Sequence, residues 1–386
     1  MPSGRPIHIA GAGPGGLTLA LALKQAGFYP VVHEKAQTNS DAGCGFTLWP
    51  NAMRALELLG VGAELRRRCK PLEAIAMATA DGSKLFSVDS SALNSSFDGI
   101  GWALQRSELI HLLLEFLGSE HVRFGAVCVG FEQKSEEVSV SFKDGSSAEG
   151  CALIGADGLR STIRSLMFGE QELRFAGYSV CRGIAHLRLP EARGVTALGM
   201  GSQFGYFPMS KDRVYWFASR NAASQTHSHH ASKTGLLEEF ADWHAPVGEI
   251  IESTPESCIL RSNIYDLDPL PRWTCGQVTL LGDAAHPATP DLGQGACQAI
   301  EDAAVLASCL QRNADVVSGL REYESRRIGR TRELTYLARR IGRSGTWTNP
   351  VACGVRNWLI GHTPQSLRLR QLRGMFDFTI LEKPPS

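Results

Sequence analysis

The stretch Ile7-His8-Ile9-Ala10-Gly11-Ala12-Gly13-Pro14-Gly15-Gly16-Leu17 decides the fold. An apolar run of strand length passes into a glycine cluster, and Leu17, Ala20 and Leu21 then recur at helical spacing, so the segment reads strand, turn, helix. Gly11, Gly13 and Gly16 fit the pattern G-x-G-x-x-G. Without side chains at those positions, backbone N–H groups and the helix N-terminus come close to a pyrophosphate. Gly27 is placed to end the helix and Tyr29 to Glu34 reads as a second strand, the start of a βαβ unit. Glu34 ends that strand about 20 residues beyond the glycines, where a carboxylate accepts hydrogen bonds from an adenosine ribose. Taken singly, these features also fit a ligand-free glycine turn and a solvated acid. Together they point to a dinucleotide without choosing between NAD and FAD.

The bulk properties narrow the class. A chain of 386 residues accommodates two domains, or one with a large insertion, and its 43% hydrophobic and 20% charged residues are ordinary for a globular protein. With 39 basic and 39 acidic residues there is no global field to draw nucleic acid. The ten cysteines show neither Cys-x-x-Cys pairs nor zinc spacing, so reduced thiols in a cytoplasmic protein are expected. His227, His229 and His230 fall in a Ser/Thr/His-rich stretch that reads as a loop, and no metal site is expected. No apolar run approaches the ~20 residues a membrane helix needs, so stable membrane insertion is not expected.

Beyond the opening unit, helices are expected at Asn51 to Leu59, at Glu108 to Leu117 and at Gly295 to Leu310, the last with Ala296, Ile300, Ala303, Ala307 and Leu310 on one face. Hairpins are expected around Asp81-Gly82 and Asp144-Gly145. Cys151 to Ala156 and Gln277 to Leu281 read as buried strands, and Gly177 to Trp273 is mostly strand-like. The expected organisation is an α/β chain with a discontinuous cofactor domain (1–71, 101–176 and 274–345). A second sheet (72–100 and 177–273) and a C-terminal helical segment (346–386) complete it. The arginines from Arg326 to Arg343 read as a solvated helix face, and Trp347 to Phe376 as an amphipathic element packing on the domain or a partner, with membrane use as the minor alternative.

Two further motifs select the cofactor. Asp157-Gly158-Leu159-Arg160-Ser161-Thr162-Ile163-Arg164 and Gly282-Asp283-Ala284-Ala285-His286-Pro287, with the N-terminal glycines, resemble the three fingerprints of the class A FAD-dependent (aromatic) monooxygenases. The resemblance runs from Ile7 to about Arg332 and includes Gly43-Cys44-Gly45-Phe46, Leu104-Gln105-Arg106 and Tyr323 to Arg327. It is similar in particular to the members that hydroxylate urate, 3-hydroxybenzoate and salicylate. The fold it implies is a Rossmann-like FAD-binding domain of the glutathione-reductase-like, para-hydroxybenzoate hydroxylase type, with an inserted, mostly antiparallel substrate sheet and C-terminal helices. It implies FAD contacts from Gly11, Ala12, Gly13, Pro14, Gly15, Gly16, Glu34 and Lys35, from Gly45 and Phe46, and from Arg106 to a phosphate or ribityl oxygen. Cys128 matches a backbone contact at the adenine end, and Asp157-Gly158 a loop implicated in NAD(P)H use. Gly282 and Asp283 match the ribityl and pyrophosphate contacts, and Pro290, Gly293, Gln294, Gly295 and Ala296 the flavin pyrimidine edge. For Arg106 a surface salt bridge is the alternative.

The activity implied is insertion of one oxygen atom from O2 into a small aromatic or heteroaromatic molecule through a flavin C4a-hydroperoxide, with NADH or NADPH as co-substrate. Asp291, with Pro290, matches the position beside the isoalloxazine, as a base or as an N-cap or Asx-turn aspartate. The substrate-binding arginine of the urate-hydroxylating members falls on Gln203, while their tyrosine is kept as Tyr215, which favours a neutral substrate over urate. Arg182, Gln203, Tyr206, Tyr215 and Trp216 are candidates to line its pocket, plain core being the alternative for the aromatic residues. Epoxidation or another flavin reaction, and a flavin-binding sensor module, are the rival readings. Monomer and homodimer are both compatible with the sequence.

Overall fold

The computed structural model describes residues 4–38, 45–92, 99–210, 212–222 and 231–377. Gly43-Cys44 and the histidines His227, His229 and His230 lie outside the described residues. The first layer is a five-stranded parallel sheet in the order Val278–Leu280, Ala152–Gly155, Pro6–Ala10, Tyr29–Glu34, Val122–Phe124. Its strands read as nearly unbroken apolar runs because both faces are covered, and Ile7, Ile9, Leu153, Ile154, Val278 and Leu280 are fully buried. Helices Pro14–Gln25 and Gly295–Arg312 lie side by side in this core, which a three-stranded antiparallel meander (Cys128–Lys134, Glu137–Phe142, Ser147–Gly150) joins through Val138, Val140 and Phe142. The first helix stops at Gly27, whose φ of 85° is a conformation that favours glycine.

The second sheet has seven strands in the order Leu260–Asp266, Arg174–Ala185, Val214–Asn221, Ser202–Pro208, Arg193–Leu198, Ala74–Thr79, Lys84–Asp89, antiparallel except where 193–198 runs parallel to 74–79. One face packs on helices Lys233–Glu239 and Val247–Glu252 around Phe204, Trp216 and Phe240. The other, bearing Phe207, Tyr215 and Phe217, turns toward the ribbon Gly45–Leu48/Trp102–Gln105 and the C-terminal helix Gln365–Phe376.

Helix Val316–Gly345 ties the layers together and corrects the expectation of a solvated arginine face. Arg327 is buried, with Nε 2.6 Å from Asp302 Oδ1 and Nη1 2.6 Å from Glu301 Oε2. Farther along, Arg339 bonds Asp266 and Asp268 at the edge of the second sheet. Arg327 and Arg339 each meet a buried carboxylate, Asp302 with Glu301 and Asp266 respectively, and an unpaired charge there would cost several kcal/mol, about 3–5.

Candidate active site

The glycine cluster has the backbone shape its spacing requires. Gly11 has φ 108°, and a Cβ added there would strike the Ala156 carbonyl; at Gly16 it would strike the Gly11 carbonyl. Helix 14–25 begins at Gly13 with no side-chain cap, so its first N–H groups are free to face an anion. The Arg106 guanidinium lies above them, 3.5 Å from the Cβ that Gly13 lacks. Glu34 closes the loop, its Oε2 accepting from Ala12 N at 2.8 Å and its Oε1 from Ala36 N at 2.9 Å. Ala12, Gly13, Glu34, Arg106 and Ile110 line a crevice of about 150 Å³. Lys35 is exposed at the end of the strand, and Cys128 is half-buried at the start of strand 128–134. Burial raises the Cys128 thiol to about 12, with the Asp157 charge adding to the effect.

The Asp157-Gly158 motif acts locally. Asp157 accepts from Ser161 Oγ at 2.5 Å and from the amides of Thr162 and Ile163 at 2.7 and 3.2 Å, capping helix Thr162–Phe168. Arg164, one turn on, donates to the carbonyls of Leu159 and Ala284 and so fastens this turn to the Gly282-Asp283 loop. The Asp283 side chain is open to solvent, its Oδ1 3.8 Å from the Cβ that Gly295 lacks, and no hydrogen bond to its carboxylate is found among the described residues. Protein closing around it pushes the carboxyl up, opposed by His286 and by the Arg106 and Arg164 guanidiniums. An unengaged acceptor, a glycine cradle and an arginine over a helix N-terminus are the donor and acceptor set that FAD hydroxyls and phosphates require, so these residues fit that cofactor.

Helix 295–312 also starts without a side-chain cap, at Gln294, and leaves Gly293 and Gly295 exposed at its positive end. Its loop is held rigidly from behind. Gly293 O accepts from Trp49 Nε1 at 3.1 Å, and Gln294 Oε1 accepts from Asn51 Nδ2 at 3.0 Å. Asp302 accepts from Gly282 N at 3.0 Å and pairs with His286 at 2.6 Å. Burial would raise the Asp302 carboxyl, but His286 and Arg327 outweigh it and hold it down at about 2. Gly45 and Phe46 enter from the ribbon, and a Cβ on Gly45 would lie 2.5 Å from the Tyr215 ring.

Asp291 is half-buried in the short turn Pro290–Leu292, and its carboxylate reaches away from the helix, across to the second sheet. Tyr178 Oη donates to its Oδ2 at 2.6 Å. Burial pushes the Asp291 carboxyl up, opposed by the hydroxyls of Thr289 and Tyr178. Burial, then the Asp291 charge, pushes the Tyr178 phenol up too, so it stays a donor. Behind the pair runs helix 316–345 with Gly342 against Asp291 and Gly345 against the Gln203 amide. Residues three apart on a helix share a face at about 5–6 Å, so Asp291 and Gln203 are neighbours. Strand register adds Arg182, opposite Phe217 and bonded to Ser262 Oγ at 2.9 Å.

Two expected pocket residues do not belong. Tyr206 and Trp216 point to the opposite face of the sheet, where Trp216 stacks on Phe204 and donates to Thr254 Oγ1 at 2.8 Å. Side chains alternate along a strand, so Phe207 and Tyr215 on the site face exclude their sequence neighbours from it. Tyr178 was missed: it is 113 residues from Asp291, and no local pattern marks it.

A family model described as FAD binding domain matches residues 5–337, and the chain belongs to that family. It is a class A flavoprotein monooxygenase. The chain is 36% identical to an aurachin C monooxygenase/isomerase from Stigmatella aurantiaca over 93% of this chain and 94% of that one. It is 33% identical to a 2-heptyl-3-hydroxy-4(1H)-quinolone synthase from Pseudomonas aeruginosa over 96% and 97%. The structure of Klebsiella pneumoniae HpxO complexed with FAD and uric acid matches with TM-score 0.90 at 29% identity, over 97% of each chain.

Proposed function

We propose that this enzyme hydroxylates a neutral, planar heteroaromatic molecule carrying an apolar chain, with the 4-quinolones as the substrate class. The observation that carries the reading is the site face of the second sheet: uncharged Gln203 beside Asp291, within a wall of Val180, Phe207, Tyr215, Phe217 and Ile264. A carboxylate and an amide offer an acceptor and a donor to a ring N–H and C=O, and the apolar wall suits a chain. Relatives matched along nearly the whole chain are named for aurachin C and for a heptyl quinolone, which agrees with that chemistry.

When bound, FAD reduced by NADH or NADPH would supply activated oxygen from O2. Residues 1–71, 101–176 and 274–345 hold it, with Gly11 to Gly16, Glu34 and Arg106 at the ADP end, Asp283 at the ribityl chain and Gly293 to Ala296 at the ring. The uncapped N-terminus of helix 295–312 would stabilise negative charge on a bound, reduced flavin. Asp291 takes the substrate's acidic proton as oxygen transfer begins, which enriches the ring carbon in electrons. Tyr178 holds that carboxylate in one orientation, and the apolar wall excludes water.

The test is substrate-stimulated NAD(P)H oxidation across 4-quinolones with and without alkyl chains, phenols, pyridines and purines, with the product mass checked for one added oxygen. Coupled hydroxylation is expected with alkyl quinolones and a large loss in Asp291→Asn. Stimulation without oxygen in the product, or urate as the preferred substrate, refutes the reading.

A further inference from the structure

No helix among the described residues is long and apolar enough to cross a membrane, yet helix Pro350–His362 shows an inverted polarity. Its one charged residue, Arg356, points inward and donates to the carbonyls of Ser344 and Gly199, both at 3.0 Å. Its outer face carries Val351, Val355, Trp358 and Leu359, exposed by 75, 53, 59 and 55%. These four recur at i, i+4, i+7 and i+8 and so form one stripe, which Trp347 and Leu367 extend at either end. A helix whose outer neighbour is water carries the opposite arrangement.

The charge of the chain segment that carries the stripe says what covers it. Residues 334–376 contain seven arginines and no lysine, aspartate or glutamate, which leaves 32 basic against 39 acidic residues in the rest of the chain. The neutral total therefore conceals a segregated positive end. Arg340, Arg343, Arg370 and Arg373 are exposed there. A second copy docked symmetrically on this face would set arginine against arginine. Tryptophan and aliphatic side chains with arginines before and after them along the chain are the composition of a helix that lies in the headgroup plane.

We infer that the face formed by helix 350–362 and its flanking arginines binds the surface of an anionic lipid bilayer, lying in the plane of the headgroups without spanning it. This goes beyond the proposed reaction and does not depend on it. The next helix, 365–376, packs Leu369, Leu372 and Phe376 into the cluster that contains Phe207 and Tyr215, so the docked enzyme would hold its substrate-facing wall near the bilayer.

Flotation of the FAD-loaded enzyme with vesicles tests it. Binding is expected on mixed phosphatidylglycerol/phosphatidylcholine vesicles at low ionic strength, with loss at high salt and little binding on phosphatidylcholine alone. Trp358→Ser with Leu359→Ser should weaken binding at least about tenfold. Arg370→Gln with Arg373→Gln should weaken it roughly thirtyfold at low salt. Each pair of variants is checked for retained flavin absorbance, so either pair suffices if the other misfolds. Absence of flotation on anionic vesicles, equal binding to neutral ones, or binding unchanged in the folded variants overturns the proposal. So does a dimer in sedimentation velocity that the serine variants dissociate, which would make the face a self-interface.

Discussion

Gly342→Ala separates the position of Asp291 from the stability of the helix behind it. A Cβ at residue 342 would lie 2.5 Å from Asp291 Oδ2 and 2.9 Å from its Cγ, where ordinary contact begins near 3.4 Å. The helix backbone cannot give way there without moving Gly345 off Gln203, so the carboxylate must retreat by about 0.9 Å. A displacement near 1 Å at a catalytic group costs on the order of a hundredfold in rate. Alanine in a helix interior gains about 1 kcal/mol over glycine, and local overpacking costs about 1–3 kcal/mol, so stability should fall by no more than about 2 kcal/mol. Gly329→Ala on the same helix is the control: nothing lies within 4 Å of its added Cβ, and it should stabilise by about 1 kcal/mol with unchanged kinetics. The assay is product formed per NAD(P)H consumed, with melting temperature and flavin absorbance measured alongside. Wild-type hydroxylation and coupling in folded Gly342→Ala would refute both the placement of the carboxylate by bare helix backbone and its role in the reaction.

Asp283→Ala should purify with a lowered ratio of flavin to protein absorbance and bind added FAD tenfold to a hundredfold more weakly, since a hydrogen bond to a charged group is worth about 1.5–3 kcal/mol; full retention of flavin would remove Asp283 from the cofactor site. Because burial raises the Asp291 carboxyl, kcat/KM should climb as pH rises through a value above the ordinary carboxylate range. Tyr178→Phe removes the donor that favours the charged form, so that acid limb should move to still higher pH, while Asp291→Asn should abolish it; an unmoved limb in Tyr178→Phe would show that the bond is merely structural. Trp216→Phe should cost about 1 kcal/mol of stability through the lost bond to Thr254 and leave KM unchanged; a selective rise in KM would return Trp216 to the pocket.

What could be read along the chain and what could not divide on physical lines. The strand, turn and helix at Ile7 to Gln25 depend on apolar spacing and on where glycine is tolerated, and both are local properties that survive into the structure. The error at Tyr206 and Trp216 was also avoidable locally. Neighbouring strand residues cannot share a face, so Tyr215 with Trp216, or Gln203 with Tyr206, could not both line one pocket. Arg327 was harder, because its partners Glu301 and Asp302 sit on another helix and a run of arginines looks the same whether it meets water or buried carboxylates. The bond between Tyr178 and Asp291 is harder still, since only the docking of the second sheet on the loop before helix 295–312 creates it.

Helix 316–345 holds an intermediate case. Thr331, Thr335, Ala338, Gly342 and Gly345 recur at alternating steps of four and three, a stripe of small buried residues that the sequence displays openly as a packing face. Its spacing says that something approaches the backbone closely, but not what. The structure supplies the polar occupants, Asp291 and Gln203, and this changes what the glycines mean. In an ordinary helix contact a glycine to alanine change trades packing against helix propensity, with consequences confined to stability. Here the atoms displaced are a carboxylate and an amide that the proposed reaction sets beside the substrate, so the same methyl group should be felt in turnover and specificity before it is felt in folding.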